Sequence, residues 1–166
     1  MLEWTEVRVV DGMDLRLVAS AAGIRAIEFA PHPVSEWPRN DGNPLLAEAA
    51  RQLQAYFAGQ LREFQLPLDI EGTDFQKRVW GQVAAIPYGE TRSYLQIAAA
   101  LGSPGAVRAV GAANGANPAP IVVPCHRVIG AHGKLVGYGG GLPLKKRLLE
   151  LEGAMTLPLA LRAPPR

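Results

Sequence analysis

The chain has 166 residues, of which 48% are hydrophobic, with 17 Lys/Arg against 15 Asp/Glu. That suits one ordinary globular domain or two small ones sharing an interface, and no apolar run approaches the roughly 18–20 residues of a membrane span. A single cysteine excludes an internal disulfide and a Cys-rich zinc site; with no basic-then-apolar leader in MLEWTEVRVVDG, it fits a reducing cytoplasm.

Residues 4–30 carry strand-like material in WTEVRVV, MDLRLVAS and IRAIEFA, with alternation at Leu15-Arg16-Leu17 and Ile24 to Phe29. Asp11-Gly12 and Ala22-Gly23 supply turns, so a three-stranded meander is predicted. Residues 31–44 form a loop rich in proline, and Pro44 to Ala58 reads as an amphipathic helix ending at Gly59. Phe64 to Ile70 reads as one more strand, and a domain boundary is placed at Glu71-Gly72. The predicted units are 1–72, 73–153 and a weakly ordered tail, 154–166.

The second half reads as helical. Thr73 to Gln76 and Ser93 to Gln96 are capping boxes, each opening a helix. Gly102 stops the second of these. Ser103-Pro104 restarts a helix, with Ser103 as N-cap, that runs to about Asn114. Two short helices around a glycine-containing turn fit a helix-turn-helix, although a plain αα-hairpin has the same pattern. The second helix, PGAVRAVGAAN, is almost all small residues with Arg108 its one charge. That suits close approach to a narrow groove, or to another helix, better than a base code.

Charge follows the same division. Residues 1–72 hold 6 Lys/Arg against 11 Asp/Glu, and residues 73–153 hold 9 against 4. The balance suggests a polyanionic partner for the second half; an ordinary solvated surface gives the same sign.

IVVPCHRV (121–128) delivers the only cysteine at the end of a β-rich run. A lone cysteine is commonly a small buried apolar residue. Here His126 follows directly, Arg127 adds charge favouring thiolate, and the glycines of GYGGG lie about a dozen residues on. Neighbouring side chains of a strand point to opposite faces, so cooperation of Cys125 and His126 needs a turn or helical geometry at the cysteine. The pair could serve acyl chemistry or attack on an alkyl carbon. A metal site from Cys125, His126 and His132 lacks zinc-finger spacing, and none is predicted.

IVVPCHRVIG, preceded by NPAP and followed by GYGGG and LLELEG, resembles the O6-alkylguanine-DNA alkyltransferases. The resemblance extends through GTDFQKRVW, IPYGETRSY and SPGAVRAVG, covering residues 72–153 densely, with AYFAGQLREF as its clearest trace upstream. It implies an α/β (α+β) protein: a small N-terminal ribonuclease H-like domain with an antiparallel sheet, then a helical, winged-helix-like domain. It implies DNA repair by irreversible, single-turnover ("suicide") transfer of an alkyl group from O6-alkylguanine to Cys125, with O4-alkylthymine as a second candidate substrate. His126 would be the base, through a water, oriented by Glu152, with Asn117 as hinge. Tyr94 would support base flipping and Arg108 would fill the vacated stack. Ala106, Ala109, Ala113, Asn114 and Gly115 would lie at the DNA surface. Tyr94, Pro120, Val128, Tyr138, Gly139 and Gly140 would line the substrate pocket, and the carbonyls of Cys125 and Val128 would read the guanine amino group.

The implied partner is double-stranded DNA with alkylated guanine, bound through the minor groove by a cytoplasmic monomer that needs no cofactor and no membrane. Three departures stand out: Gly139 replaces a serine of some relatives, the Asn114-Gly115 helix end is less basic, and zinc-binding N-terminal cysteines are absent. A non-catalytic branch lacks the cysteine, which is present here. A module that binds alkyl lesions without repairing them remains the alternative, with a cysteine hydrolase third.

Overall fold

The protein's structure, a computed structural model, describes residues 1–10 and 12–155. Strands β1 (Glu3–Val10), β2 (Met13–Ala19) and β3 (Ile24–Phe29) form the expected antiparallel meander, with Val7 opposite Leu15 and Leu17 opposite Ile27. Asp11 of the first expected turn and residues 156–166 of the expected tail lie outside the described residues. Helix α1 (Pro44–Phe57), capped by the Asn43 side chain, packs Leu46, Ala49, Leu53 and Tyr56 against the sheet.

The strand expected over 64–70 does not form. Ile24 donates to the Pro67 carbonyl and accepts from the Asp69 amide, both at 2.8 Å, making one isolated bridge on the β3 edge. Pro67 has no N–H with which to extend a ladder.

Helix α2 (Asp74–Ala84) and helix α3 (Tyr94–Ala100) start from the two capping boxes read in the sequence. The third start differs. Ser103 makes no side-chain cap bond, Pro104–Ala106 is a 3-10 turn, and helix α4 begins only at Val107 and runs to Gly115. Helices α3 and α4 pack together as a helix-turn-helix, flanked by a parallel pair of two-residue strands, β4 (Arg92–Ser93) and β5 (Val128–Ile129). Helix α5 (Leu142–Leu151) closes the described chain. One hydrophobic cluster runs from Leu17 and Leu53 through Trp80 and Val83 to Val110 and Leu148, so both halves share a continuous core.

Candidate active site

The run Ile121-Val122-Val123 is a tight turn and not the strand read from its β-branched residues. Pro120 and Val123 bridge each other, and Ile121 sits at φ 75. Pro120 and Pro124 flank the run without N–H groups, so no ladder can form across it. The left-handed conformation is unfavourable for a β-branched residue. Burial of Ile121 and the Asn117 side chain hold it: Asn117 donates to the Val123 carbonyl at 2.8 Å and accepts from the Ala119 amide at 3.0 Å. The next three residues, Cys125–Arg127, form a single 3-10 turn. This is the non-strand geometry that lets neighbouring side chains serve one centre.

Glu152, at the end of α5, organises that centre. Its carboxylate is buried and accepts from Arg127 Nε at 2.8 Å and from a second Arg127 nitrogen at 2.9 Å, from His126 Nε2 at 2.9 Å and from Tyr56 Oη at 2.5 Å. Burial pushes the carboxyl up, but the bonds from His126, Arg127 and Tyr56 outweigh it and hold Glu152 down at about 2. The Glu152 and Arg127 charges cancel. Burial in turn lowers the pKa of His126, against the opposing pull of Glu152, so the imidazole is neutral. Facing a carboxylate, its Nε2 must carry the proton, which leaves Nδ1 as a bare acceptor. That buried Nδ1 has no partner among the described residues. Arg127, read in the sequence as favouring thiolate, is committed elsewhere: beyond Glu152 it donates to the Ile86 carbonyl at 2.7 Å.

Cys125 is buried, and burial raises its thiol pKa despite the opposing influence of Asn117, Lys145 and local backbone N–H groups. The resting sulfur is therefore a protonated thiol, shielded from solvent chemistry. It lines a cleft of about 420 Å³ with Asn117, Pro120, Tyr138 and Gly139, and the edge of β3 supplies the opposite wall through Ile27 and Phe29. At Gly140 a Cβ would come within 2.7 Å of Leu144 Cδ2 and 3.1 Å of Phe29 and Tyr138, so glycine permits the loop to lie against the cleft wall. Gly140→Ala is expected to cost about 1–3 kcal/mol by overpacking, read as a lower denaturation midpoint at unchanged slope.

Lys145, on the buried face of α5, fastens that loop. Its ammonium donates to the carbonyls of Val128 at 2.7 Å, Val136 at 3.0 Å and Gly137 at 3.3 Å, and burial lowers its pKa to about 8. Tyr94 lies beside it, its hydroxyl bonded to the Val136 carbonyl at 3.2 Å.

The remaining residues singled out in the sequence divide by helix face. Arg108, Ala109 and Gly115 are exposed along α4, with Ala106 half-buried just before it. Ala113 and Asn114, expected at the DNA surface, instead face inward with Val110, as the i, i+3, i+4 spacing dictates. The Ala113 carbonyl accepts from the Trp80 indole at 2.8 Å, and Asn114 Nδ2 donates to the Cys125 carbonyl at 3.2 Å. Among the described residues no group of three or more His, Cys, Asp or Glu side chains could hold a metal ion, and no helix is long and apolar enough to cross a membrane.

Two family models match this chain in tandem. The ribonuclease-like domain of 6-O-methylguanine DNA methyltransferase matches residues 14–70, and the DNA-binding domain of that enzyme matches residues 74–154. The chain belongs to the O6-methylguanine-DNA methyltransferase family. The methylated-DNA–protein-cysteine methyltransferase of Mycobacterium bovis is 66% identical over 130 residues, 78% of each chain. That of Methanosarcina acetivorans is 57% identical over 144 residues, 87% of this chain and 88% of the other. In three dimensions the Mycobacterium tuberculosis O6-methylguanine methyltransferase is similar with a TM-score of 0.84 at 46% identity, covering 96% of each chain. A structure of M. tuberculosis OGT in complex with DNA has a TM-score of 0.81 at 48% identity, covering 92% of each chain.

In this methyltransferase fold three neighbours of the Glu152–His126 pair went unread in the sequence. Tyr56 lies on the apolar face of α1, where a tyrosine reads as core. Arg127 reads as a charge beside the thiol and not as the bidentate partner of a carboxylate 25 residues on. Lys145 had a usable signal: it occupies an apolar-face position of α5, in register with Leu148, Leu149 and Glu152.

Proposed function

We propose that this methyltransferase repairs DNA by moving the alkyl group of O6-alkylguanine onto Cys125, once per molecule. The observation that carries the reading is the buried chain of contacts Tyr56–Glu152–His126, which ends in an unpartnered Nδ1 on the residue next to the only cysteine. The thiol proton passes to His126 Nδ1 through one bridging water. The thiolate sulfur forms a bond to the alkyl carbon as the carbon–O6 bond breaks. The electron pair of the broken carbon–O6 bond stays on the purine, which takes up as guanine the proton that His126 passes back through solvent; the imidazole ends neutral, proton and charge balance, and the thioether remains. Nothing in this sequence of steps regenerates the thiol.

The O6 substituent is inaccessible inside a duplex, so the nucleotide must be extruded, at a cost of a few kcal/mol that is smaller for a poorly paired base. Arg108, exposed on a helix of small residues, is suited to enter the minor groove and occupy the gap. Tyr94 and Gly139 border the region the base would enter. We place the division between the halves at Gly72, and the protein in the cytoplasm as a monomer, a setting that the free thiol suits.

Incubation with duplex DNA containing O6-methylguanine should add one methyl group, recovered by mass spectrometry on the peptide holding Cys125; no gain in mass would sink the proposal. Binding rests mainly on phosphate contacts, so affinity should fall about tenfold or more between roughly 50 and 200 mM salt, with little dependence on flanking sequence. Fluorescence anisotropy across a salt series reads the slope.

A further inference from the structure

The resemblance gives the reading of the guanine amino group to the carbonyls of Cys125 and Val128. In this chain both already accept bonds from the protein, two at Cys125 and one at Val128, which leaves at most one lone pair, that of Val128, for the base. The Cys125 carbonyl accepts from Asn114 Nδ2 at 3.2 Å and from the Val128 amide. The Val128 carbonyl accepts from the Lys145 ammonium at 2.7 Å. Asn114 itself lines the cleft beside Cys125 and Tyr138 and is only 5% exposed. Its Nδ2 must face the Cys125 carbonyl, because a carbonyl requires a donor, so Oδ1 points the other way. That Oδ1 finds no donor among the described residues. A buried acceptor left open at the wall of a substrate cleft is a feature that natural structures rarely keep without use.

We propose that Asn114 Oδ1 accepts a hydrogen bond from the exocyclic amino group of the extruded base, so that this residue makes the site select O6-alkylated 2-aminopurines over 6-alkoxypurines that lack the amino group. The inference rests on the transfer reading above. It also gives Asn114 two roles on one amide: Nδ2 fixes the acceptor cysteine's backbone, and Oδ1 reads the base. An aliphatic side chain of similar size performs neither. An aspartate keeps the acceptor and loses the donor.

The test compares single-turnover transfer from matched duplexes carrying O6-methylguanine or O6-methylhypoxanthine. The parent should prefer guanine by about tenfold or more, the worth of one hydrogen bond whose loss leaves a buried acceptor unpaired. In Asn114→Leu both rates should fall and their ratio should move to within about twofold of unity, whereas Asn114→Asp should keep the preference at a lower absolute rate. Should the leucine variant fail to fold, Asn114→Ala is read by the same ratio. A parental ratio that survives in the leucine or alanine variant assigns Asn114 to structure alone and overturns the proposal, as does a parent without preference. No transfer from O6-methylguanine by the parent overturns the activity itself, and the proposal with it.

Discussion

Cys125→Ala abolishes alkyl transfer while leaving affinity for duplex DNA within about twofold of the parent, because phosphate contacts set affinity and the sulfur meets only an extruded base. Cys125 is 6% exposed and its backbone is held by the buried face of α4, opposite the exposed Arg108 face proposed to meet DNA, so its side chain adds nothing to that proposed surface. Transfer is followed by single-turnover mass spectrometry and binding by anisotropy on one duplex. A variant that loses binding and transfer together would show that the thiol also shapes the helix proposed to face DNA. Since Asn114 bonds the Cys125 backbone and not its side chain, that outcome is not expected.

The second large effect is on stability. Glu152→Gln should lower unfolding free energy by about 3–5 kcal/mol, because it leaves the buried Arg127 guanidinium without a countercharge. The amide also turns an N–H toward one of three donors. Against a total of about 5–15 kcal/mol, this threatens the fold itself. Tyr56→Phe removes one bond to the same carboxylate and should cost about 1.5–3 kcal/mol, the usual worth of a hydrogen bond to a charged group. Urea titrations of the three proteins give the order parent, Tyr56→Phe, Glu152→Gln. An equal midpoint for all three would refute the organising role of Glu152.

The same cluster sets the response to acid. Glu152 is depressed from 4.5 to about 2, so its contribution is complete above pH 4.5 and disappears as pH falls from there towards about 2. His126 is also depressed, by burial, so the unfolded chain binds its proton first and stability already declines as pH drops below about 6.5. Both act in one direction. The denaturation midpoint should fall steadily from neutral pH to pH 4, and a midpoint flat across that range would contradict the neutral, buried imidazole.

Local signals carried much of the architecture. The capping boxes at Thr73–Gln76 and Ser93–Gln96 satisfy helix ends within four residues, so they are legible without tertiary knowledge. The meander follows from period-two alternation, and the need for a turn at Cys125 follows from strand geometry alone. What escaped depends on distance or on a conflict between levels. Ile121-Val122-Val123 has strong strand propensity, but the flanking prolines and the Asn117 amide override it. Lys145 is buried because three backbone carbonyls, one 17 residues upstream, converge on its amine. Helical phase, and not composition, turns Asn114 inward.

Tyr56 and Glu152 are 96 positions apart, and their bond joins the first helix to the end of the last described one. Contacts of that span form late, because closing so long a loop is an entropic cost that folding must meet before the contact rewards it. The Glu152–His126 contact is therefore buttressed from the opposite half of the chain. A molecule whose first helix has come away keeps its cysteine but loses one of the bonds that hold the carboxylate in place. The integrity of the whole fold, and not of the second half alone, is thus written into the surroundings of a thiol that can be spent only once.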